Sequence, residues 1–195
     1  MANLRAFIAV LLSADLKDKI RMVQEQFIKV APEVKWVAKD NFHVTLKFLG
    51  DVESERVDEI CSALGSAVAE QSAFAMEVAG VGAFPNPGRP QTVWVGVKSG
   101  FECLAGIAGE VESALERVGF PKEGRRFSAH ITIGRVRSDR PAHALAGELQ
   151  AADVGEIGRI QINSIAVMKS DLHREGPIYS VLREIPLQLQ GGGGC

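Results

Sequence analysis

The fold is decided by two stretches, His43-Val-Thr-Leu-Lys-Phe48 and His130-Ile-Thr-Ile-Gly-Arg135. Both contain the pattern His-x-Thr-x, and in both an apolar residue follows the histidine and another follows the threonine. In a β-strand, residues i and i+2 point to the same face of the sheet. Each stretch therefore predicts a strand that presents one imidazole and one hydroxyl side by side, with a buried apolar face behind them.

The rarity of these residue types makes the repeated pattern informative. The chain has only four histidines and three threonines, so about 0.06 His-x-Thr pairs would be expected by chance. One copy alone would indicate no more than a strand with a polar outer face. Two copies on strands with apolar backs indicate a shared functional site.

The sequence around the two stretches predicts alternating helices and strands. Amphipathic periodicity predicts helices over 15–31, 53–71, 101–118 and 141–149. Besides 42–49 and 129–137, strands are predicted over 4–12, 34–37, 73–81, 92–98, 158–168 and 177–187. The connections within 73–98 and 158–187 are too short for a crossover helix, so these strands are expected to pair antiparallel. We therefore predict an α+β fold with two similar lobes.

The composition excludes several classes of protein. The chain has 195 residues, of which 46% are hydrophobic and 24% charged, with a net charge of −2. A disordered chain is less hydrophobic, and a protein that coats DNA is more basic. No apolar stretch approaches the ~20 residues of a membrane-spanning helix. We predict one bilobal domain over residues 1–190 and a flexible Gly-rich tail over 191–195, which has the composition of an added, engineered linker.

The cysteines bear on the cellular compartment. Cys61, Cys103 and Cys195 are odd in number and include no CxxC spacing, so a disulfide framework is not expected. Disulfides are rare in the reducing cytosol. We therefore expect a cytoplasmic protein, and a monomer is the default expectation.

Two imidazoles and two hydroxyls facing one another suit displacement at phosphorus. One histidine can take a proton from the attacking oxygen while the other protonates the leaving oxygen. Histidine can do both because its pKa lies near neutrality, and hydroxyls can donate hydrogen bonds to phosphoryl oxygens. This chemistry requires neither a metal ion nor a cofactor.

A basic stretch around the second His-x-Thr favours an anionic substrate. Residues 117–140 contain only two acidic residues, Glu123 and Asp139, but seven basic ones: Arg117, Lys122, Arg125, Arg126, Arg135, Arg137 and Arg140. Arg135 is the best candidate for a bidentate phosphate contact. Strict alternation places it on the face opposite His130, so it reaches the site only if Gly134 bends or bulges the strand.

At these residues the chain resembles the 2H phosphoesterase superfamily, and within it the RNA 2′,3′-cyclic phosphodiesterases, which are also called 2′-5′ RNA ligase-like proteins. The resemblance extends over about residues 3–187. It is carried by the segments 5–10, 41–50, 82–85, 93–96, 127–135, 168–170 and 176–182.

The resemblance implies a bilobal, pseudo-symmetric α+β fold with an antiparallel sheet and helices in each lobe around a central cleft. It implies hydrolysis of an RNA terminal 2′,3′-cyclic phosphate, or of a nucleoside 2′,3′-cyclic phosphate, to a 2′-phosphomonoester. By this resemblance His43 is the general acid and His130 the base, while Thr45, Thr132 and Arg135 bind the phosphate. Two alternatives stay open at this point: a 2′-5′ ligase that joins RNA halves, and a non-catalytic module that binds RNA ends or nucleotides.

Other residues have ordinary roles unless the fold brings them to the cleft. His143 and His173 are expected on the surface. Trp36, Trp94 and Phe84 are either core or cleft-wall residues or platforms for stacking a base.

Overall fold

The computed structural model describes residues 3–174 and 176–189. The α-helices within these ranges are α1 (Ala14–Val30), α2 (Val57–Val68), α3 (Phe101–Arg117) and α4 (Asp139–Ala151). The strands are β1 (Asn3–Leu11), β2 (Lys35–Trp36), β3 (His43–Glu53), β4 (Phe74–Phe84), β5 (Thr92–Ser99), β6 (His130–Arg135), β7 (Glu156–Ile162), β8 (Ser164–Leu172) and β9 (Pro177–Pro186). The predicted tail over 191–195 lies outside the described residues.

The strands form one antiparallel sheet with two lobes. Its order is β7-β4-β5-β6-β3-β1-β8-β9, and the short β2 also pairs with β6. At the centre, β3 and β6 share a single residue pair, Val44 opposite Ile131. We call β1, β3, β8 and β9 with helices α2 and α3 the His43 lobe, and β2, β4–β7 with α1 and α4 the His130 lobe. The two-lobed α+β prediction is confirmed, with the two half-sheets joined at this central pair.

Apolar residues on the helix-facing side of the two central strands fix their orientation. Val44 and Leu46 of β3 and Ile131 and Ile133 of β6 are all buried. Burial of a large aliphatic side chain contributes about 1.5–3 kcal/mol. The neighbouring histidines and threonines are forced onto the opposite face, as the alternation predicts.

The prediction of one strand over 158–168 is wrong. The chain there forms two strands, because β7 ends at Ile162 and pairs with β4, whereas β8 begins at Ser164 and pairs with β1 and β9. The single residue between them, Asn163, accepts a hydrogen bond at its carbonyl from the Leu187 N–H. Both strands are apolar, so the sequence pattern does not reveal the crossing. Because one residue links strands near opposite edges, the sheet has to curl.

Other sequence expectations are met with shifted boundaries. The predicted helix over 53–71 starts only at Val57, because β3 continues to Glu53 and a 3₁₀ turn follows it. Both short-loop strand pairs, β4–β5 and β8–β9, are antiparallel as predicted. Cys61 is a free thiol. No helix among the described residues is long and apolar enough to cross a membrane.

Candidate active site

The central strand pair brings the two His-x-Thr stretches to one cavity. Because Val44 lies opposite Ile131 in an antiparallel pair, His43 falls on the side of Thr132, and Thr45 falls on the side of His130. All four side chains line a cavity of about 620 Å³ on the polar side of the sheet. Two stretches far apart in sequence therefore form one cluster.

The ring of His43 is fixed from both of its nitrogens. Nδ1 lies 2.7 Å from the Asn41 carbonyl oxygen, and Nε2 lies 3.0 Å from Thr45 Oγ1. A carbonyl oxygen can only accept, so Nδ1 carries a proton. Nε2 is therefore the atom that gains or loses a proton, and in the neutral ring it accepts a hydrogen bond from the Thr45 hydroxyl.

His130 repeats the first contact and lacks the second. Its Nδ1 donates to the Ser128 carbonyl oxygen at 2.8 Å, again from the residue two positions earlier. Within the described ranges, Nε2 of His130 has no hydrogen-bond partner. Its lone pair is free to accept a proton from a molecule in the cavity.

Aromatic side chains pack against each imidazole. The Phe7 ring lies 4.9 Å from the His43 ring between centroids, and Tyr179 meets His43 edge-on at 5.3 Å. Phe84 meets His130 edge-on at 5.0 Å. These contacts remove water from one side of each ring and restrict its rotation.

The surroundings lower the pKa of both histidines below the ordinary 6.5. Burial is the largest cause in each case, because it disfavours the charged imidazolium. For His43, the positive charges of Lys17, His130 and Arg135 lower the pKa further, whereas the hydrogen bond to Asn41 opposes the shift. For His130, Arg135 adds to the burial effect and the hydrogen bond to Ser128 opposes it.

A β-bulge places Arg135 at the cavity. In the pairing of β5 with β6, Trp94 lies opposite Thr132 but Val93 lies opposite Gly134, so Ile133 is the extra residue. Ile133 and Gly134 are both buried, and the alternation then restarts with Arg135 exposed. The bulge at Gly134 that Arg135 needs in order to reach the site is therefore present. Arg135 lines the same cavity as both histidines.

The charge of this cavity favours an anion. Among the described residues that line it, none is acidic, while Lys35, Arg135 and Arg137 are basic. Of the basic stretch around the second His-x-Thr, Arg135 and Arg137 face this cavity, whereas Lys122, Arg125 and Arg126 line a neighbouring one. Within residues 3–174 and 176–189, no group of three or more His, Cys, Asp and Glu side chains could hold a metal ion.

Two residues at the cavity carry signals that sequence reasoning did not use. Thr92 lines it and lies opposite Arg135 in the sheet, so all three threonines of the chain face one cavity. Tyr179, which packs on His43, is the only tyrosine of the chain. Both residues belong to types that are rare in the chain, as do the histidines and threonines of the His-x-Thr stretches. Nothing in the sequence pattern indicates that the positive charge of Lys17, on α1, lowers the pKa of His43.

The remaining candidates separate into surface and wall residues. His143 and His173 are exposed, as expected. Trp36 lines the cavity, and its Nε1 donates to the Ala31 carbonyl oxygen at 3.0 Å. Trp94 packs against Phe84 at 5.4 Å and supports the ring that contacts His130.

Comparison with known protein families gives two consecutive matches. The model of the LigT-like phosphoesterases matches residues 10–94 and again residues 95–179. The first match contains His43 and the second contains His130, so each repeat supplies one His-x-Thr. The chain belongs to the LigT-like phosphoesterase family. The two lobes do not coincide with the two repeats, because the His43 lobe takes β3 and α2 from the first match and α3 and β8 from the second.

Curated relatives of this LigT-like phosphoesterase match along nearly all of its length. A protein of Aeropyrum pernix is 36% identical over 173 residues, which cover 89% of this chain and 97% of the relative. A protein of Archaeoglobus fulgidus is 34% identical and covers 92% and 98%, and one of Aquifex aeolicus is 32% identical and covers 96% and 99%. All three are named RNA 2′,3′-cyclic phosphodiesterase.

Solved structures share the fold. A protein of Thermus thermophilus superimposes with a TM-score of 0.78 at 22% identity, covering 94% of this chain and 97% of that one. The apo form of E. coli LigT gives a TM-score of 0.75 at 25% identity, with 96% and 99% covered.

Proposed function

We propose that this LigT-like phosphoesterase hydrolyses the terminal 2′,3′-cyclic phosphate of RNA to a 2′-phosphomonoester. The observation that carries the proposal is the pair of anchored imidazoles at one cationic cavity, each with its Nδ1 proton held by a backbone carbonyl so that Nε2 is the atom that exchanges a proton. The names of the relatives, RNA 2′,3′-cyclic phosphodiesterases at 32–36% identity, support the choice of substrate.

In this reaction His130 is the general base. Its Nε2, which has no partner among the described residues, accepts a proton from water as the water oxygen bonds to phosphorus. His43 is the general acid: Nε2–H protonates O3′ as the P–O3′ bond breaks, giving a free 3′-hydroxyl and a 2′-phosphate. One proton has then moved onto His130 and one has left His43, and exchange with solvent restores both.

The remaining polar groups hold the phosphate. The hydroxyls of Thr45 and Thr132 donate to non-bridging oxygens, and Arg135 balances the charge that accumulates on them in the transition state. Arg135 lines the cavity that both histidines line, which supports its role in holding the phosphate.

The test is incubation with a short RNA that ends in a 2′,3′-cyclic phosphate and, in parallel, with nucleoside 2′,3′-cyclic phosphates. We expect a 2′-phosphomonoester and unchanged rates in EDTA. Exclusive formation of a 3′-phosphate would contradict the proposed leaving oxygen.

Adding an RNA with a 5′-hydroxyl end separates the alternatives. Accumulation of a 2′-5′ joined product would favour the ligase, and saturable binding without turnover of any cyclic phosphate would favour the binding module. The monomeric state and the cytoplasmic location stay predictions of the sequence.

A further inference from the structure

A second cavity opens from the candidate active site. Its volume is about 830 Å³, and it extends from Thr45 and His130 along helix α3 to the segment 122–128. Thr45, Phe48, Phe84 and His130 line both cavities. A ligand that places its phosphate between the histidines can therefore continue into this second space.

The segment 122–128, which lines the second cavity, is held to strand β3 by hydrogen bonds. Lys47 is buried, and its Nζ donates to the Pro121 carbonyl oxygen at 2.7 Å and to Glu112 Oε2 at 2.6 Å. The Glu123 N–H donates to the same carboxylate at 3.3 Å, and the Phe48 N–H donates to Glu123 Oε1 at 3.2 Å. Both carboxylates of the cavity wall are therefore engaged by groups of the protein itself.

Two arginines of this segment have no such partner. Arg125 and Arg126 are exposed, line the cavity, and have no ion pair with any described residue. Their neighbour Lys122 pairs with Glu116 at 3.0 Å. Some exposed arginines elsewhere pair with carboxylates, as do Arg159 and Arg183, whereas others, such as Arg89 and Arg117, have no ion pair with a described residue. Unpaired guanidiniums beside a cavity favour a ligand that brings its own negative charges.

An aromatic ring stands where the two cavities join. Phe48 is 61% exposed although it lies on a central strand of the sheet. Exposed aromatic side chains at nucleic-acid sites stack on unpaired bases, and such stacking contributes about 1–3 kcal/mol per base. Phe48 is positioned for the nucleotide next to the one that reacts.

We propose that the second cavity binds the RNA strand that leads to the cyclic end, with Arg125 and Arg126 on its backbone phosphates and Phe48 on a base. This inference rests on the proposed function and extends it, because it makes an oligoribonucleotide the preferred substrate over a mononucleotide. Base pairing blocks stacking on Phe48, so the strand is single-stranded where it enters.

The test measures kcat/KM for an oligoribonucleotide of about ten residues with a cyclic end, and for the matching nucleoside 2′,3′-cyclic phosphate. We expect the intact protein to prefer the oligomer. The double variant Arg125→Ala/Arg126→Ala should lower the ratio of the two kcat/KM values about tenfold. It should also flatten the dependence of log KM for the oligomer on log salt by about 0.7 for each backbone phosphate that the variant no longer binds.

Two further variants control the interpretation. Arg125→Lys/Arg126→Lys keeps the charge and should retain most of the preference, whereas Arg183→Ala removes an exposed arginine that lines neither cavity and should change neither substrate. An equal ratio in the intact protein and the double alanine variant would overturn the inference. A different outcome would contradict the proposed function, namely that the intact protein turns over neither substrate.

Discussion

The two histidine sides of the cavity share a backbone design and differ in what surrounds the ring. On both sides a strand residue donates Nδ1–H to the carbonyl two positions earlier and rests against an aromatic ring. Only His43 has its Nε2 engaged, by Thr45, and only His43 packs between two aromatic rings, those of Phe7 and Tyr179, among the described residues.

In the proposed mechanism, this difference lets two copies of a repeated unit serve two opposite functions. The common part, an anchored Nδ1 proton, makes Nε2 the reactive atom on both sides. The part that differs decides whether that atom is open, as in His130, or held in a fixed direction, as in His43. An open lone pair suits a base that accepts a proton from mobile water, whereas a held Nε2 suits an acid aimed at one oxygen.

Removal of either histidine should give the largest effect. General acid or base catalysis contributes about 10²–10⁴-fold, so His43→Ala and His130→Ala should each lower kcat by about 10³ while the thermal unfolding temperature changes little. His143→Ala, an exposed histidine on α4, is the matched control and should retain full activity. Near-normal turnover by either cavity variant would remove that histidine from the mechanism.

The next largest effect should come from Arg135, which the two sides share. Arg135→Ala removes the cation placed beside both rings, and kcat/KM should fall about 10²-fold because transition-state charge loses a fixed partner. Arg135→Lys keeps the charge without the two-pronged geometry and should recover part of the loss. A loss of less than threefold in Arg135→Ala would mean that the bulge does not serve the phosphate.

The threonines test the asymmetry directly. Thr132→Val should lower kcat/KM about tenfold through loss of one donor to the phosphate. Thr45→Val should cost more and lower kcat in particular, because it also releases Nε2 of His43. Thr45→Ser and Thr132→Ser keep the hydroxyl and serve as controls. Equal losses, or a larger loss in Thr132→Val, would contradict the distinction between the two sides.

The smallest effect should be a several-fold change of activity with pH. Activity rises with pH as the base loses its proton and falls as the acid loses its own. Because the pKa values of both His43 and His130 lie below 6.5 in the free protein, the maximum of kcat/KM should lie below pH 6.5. The bound phosphate anion raises both values, so the kcat maximum should lie higher. A kcat/KM maximum above pH 7.5 would contradict the burial of the two rings.

Much of this site can be predicted from sequence, because i, i+2 alternation in a strand is a local rule and the residues involved are rare. His43 with Thr45, and His130 with Thr132, follow from it directly. Arg135 could only be predicted conditionally, since a bulge depends on the pairing of β5 with β6 and not on β6 alone. The crossing at Asn163 could not be predicted for the same reason. Strands β7 and β8 are both apolar, and they differ only in the distant strands with which they pair.

The acid and base assignment is tested most directly by changing the leaving atom. A 2′,3′-cyclic phosphate with sulfur in place of O3′ expels a thiolate, which needs no protonation. We predict that this substrate restores His43→Ala to within about tenfold of the intact protein and leaves His130→Ala as impaired as on the oxygen substrate. Rescue of His130→Ala instead of His43→Ala would reverse the assignment, and rescue of neither would contradict acid catalysis at O3′.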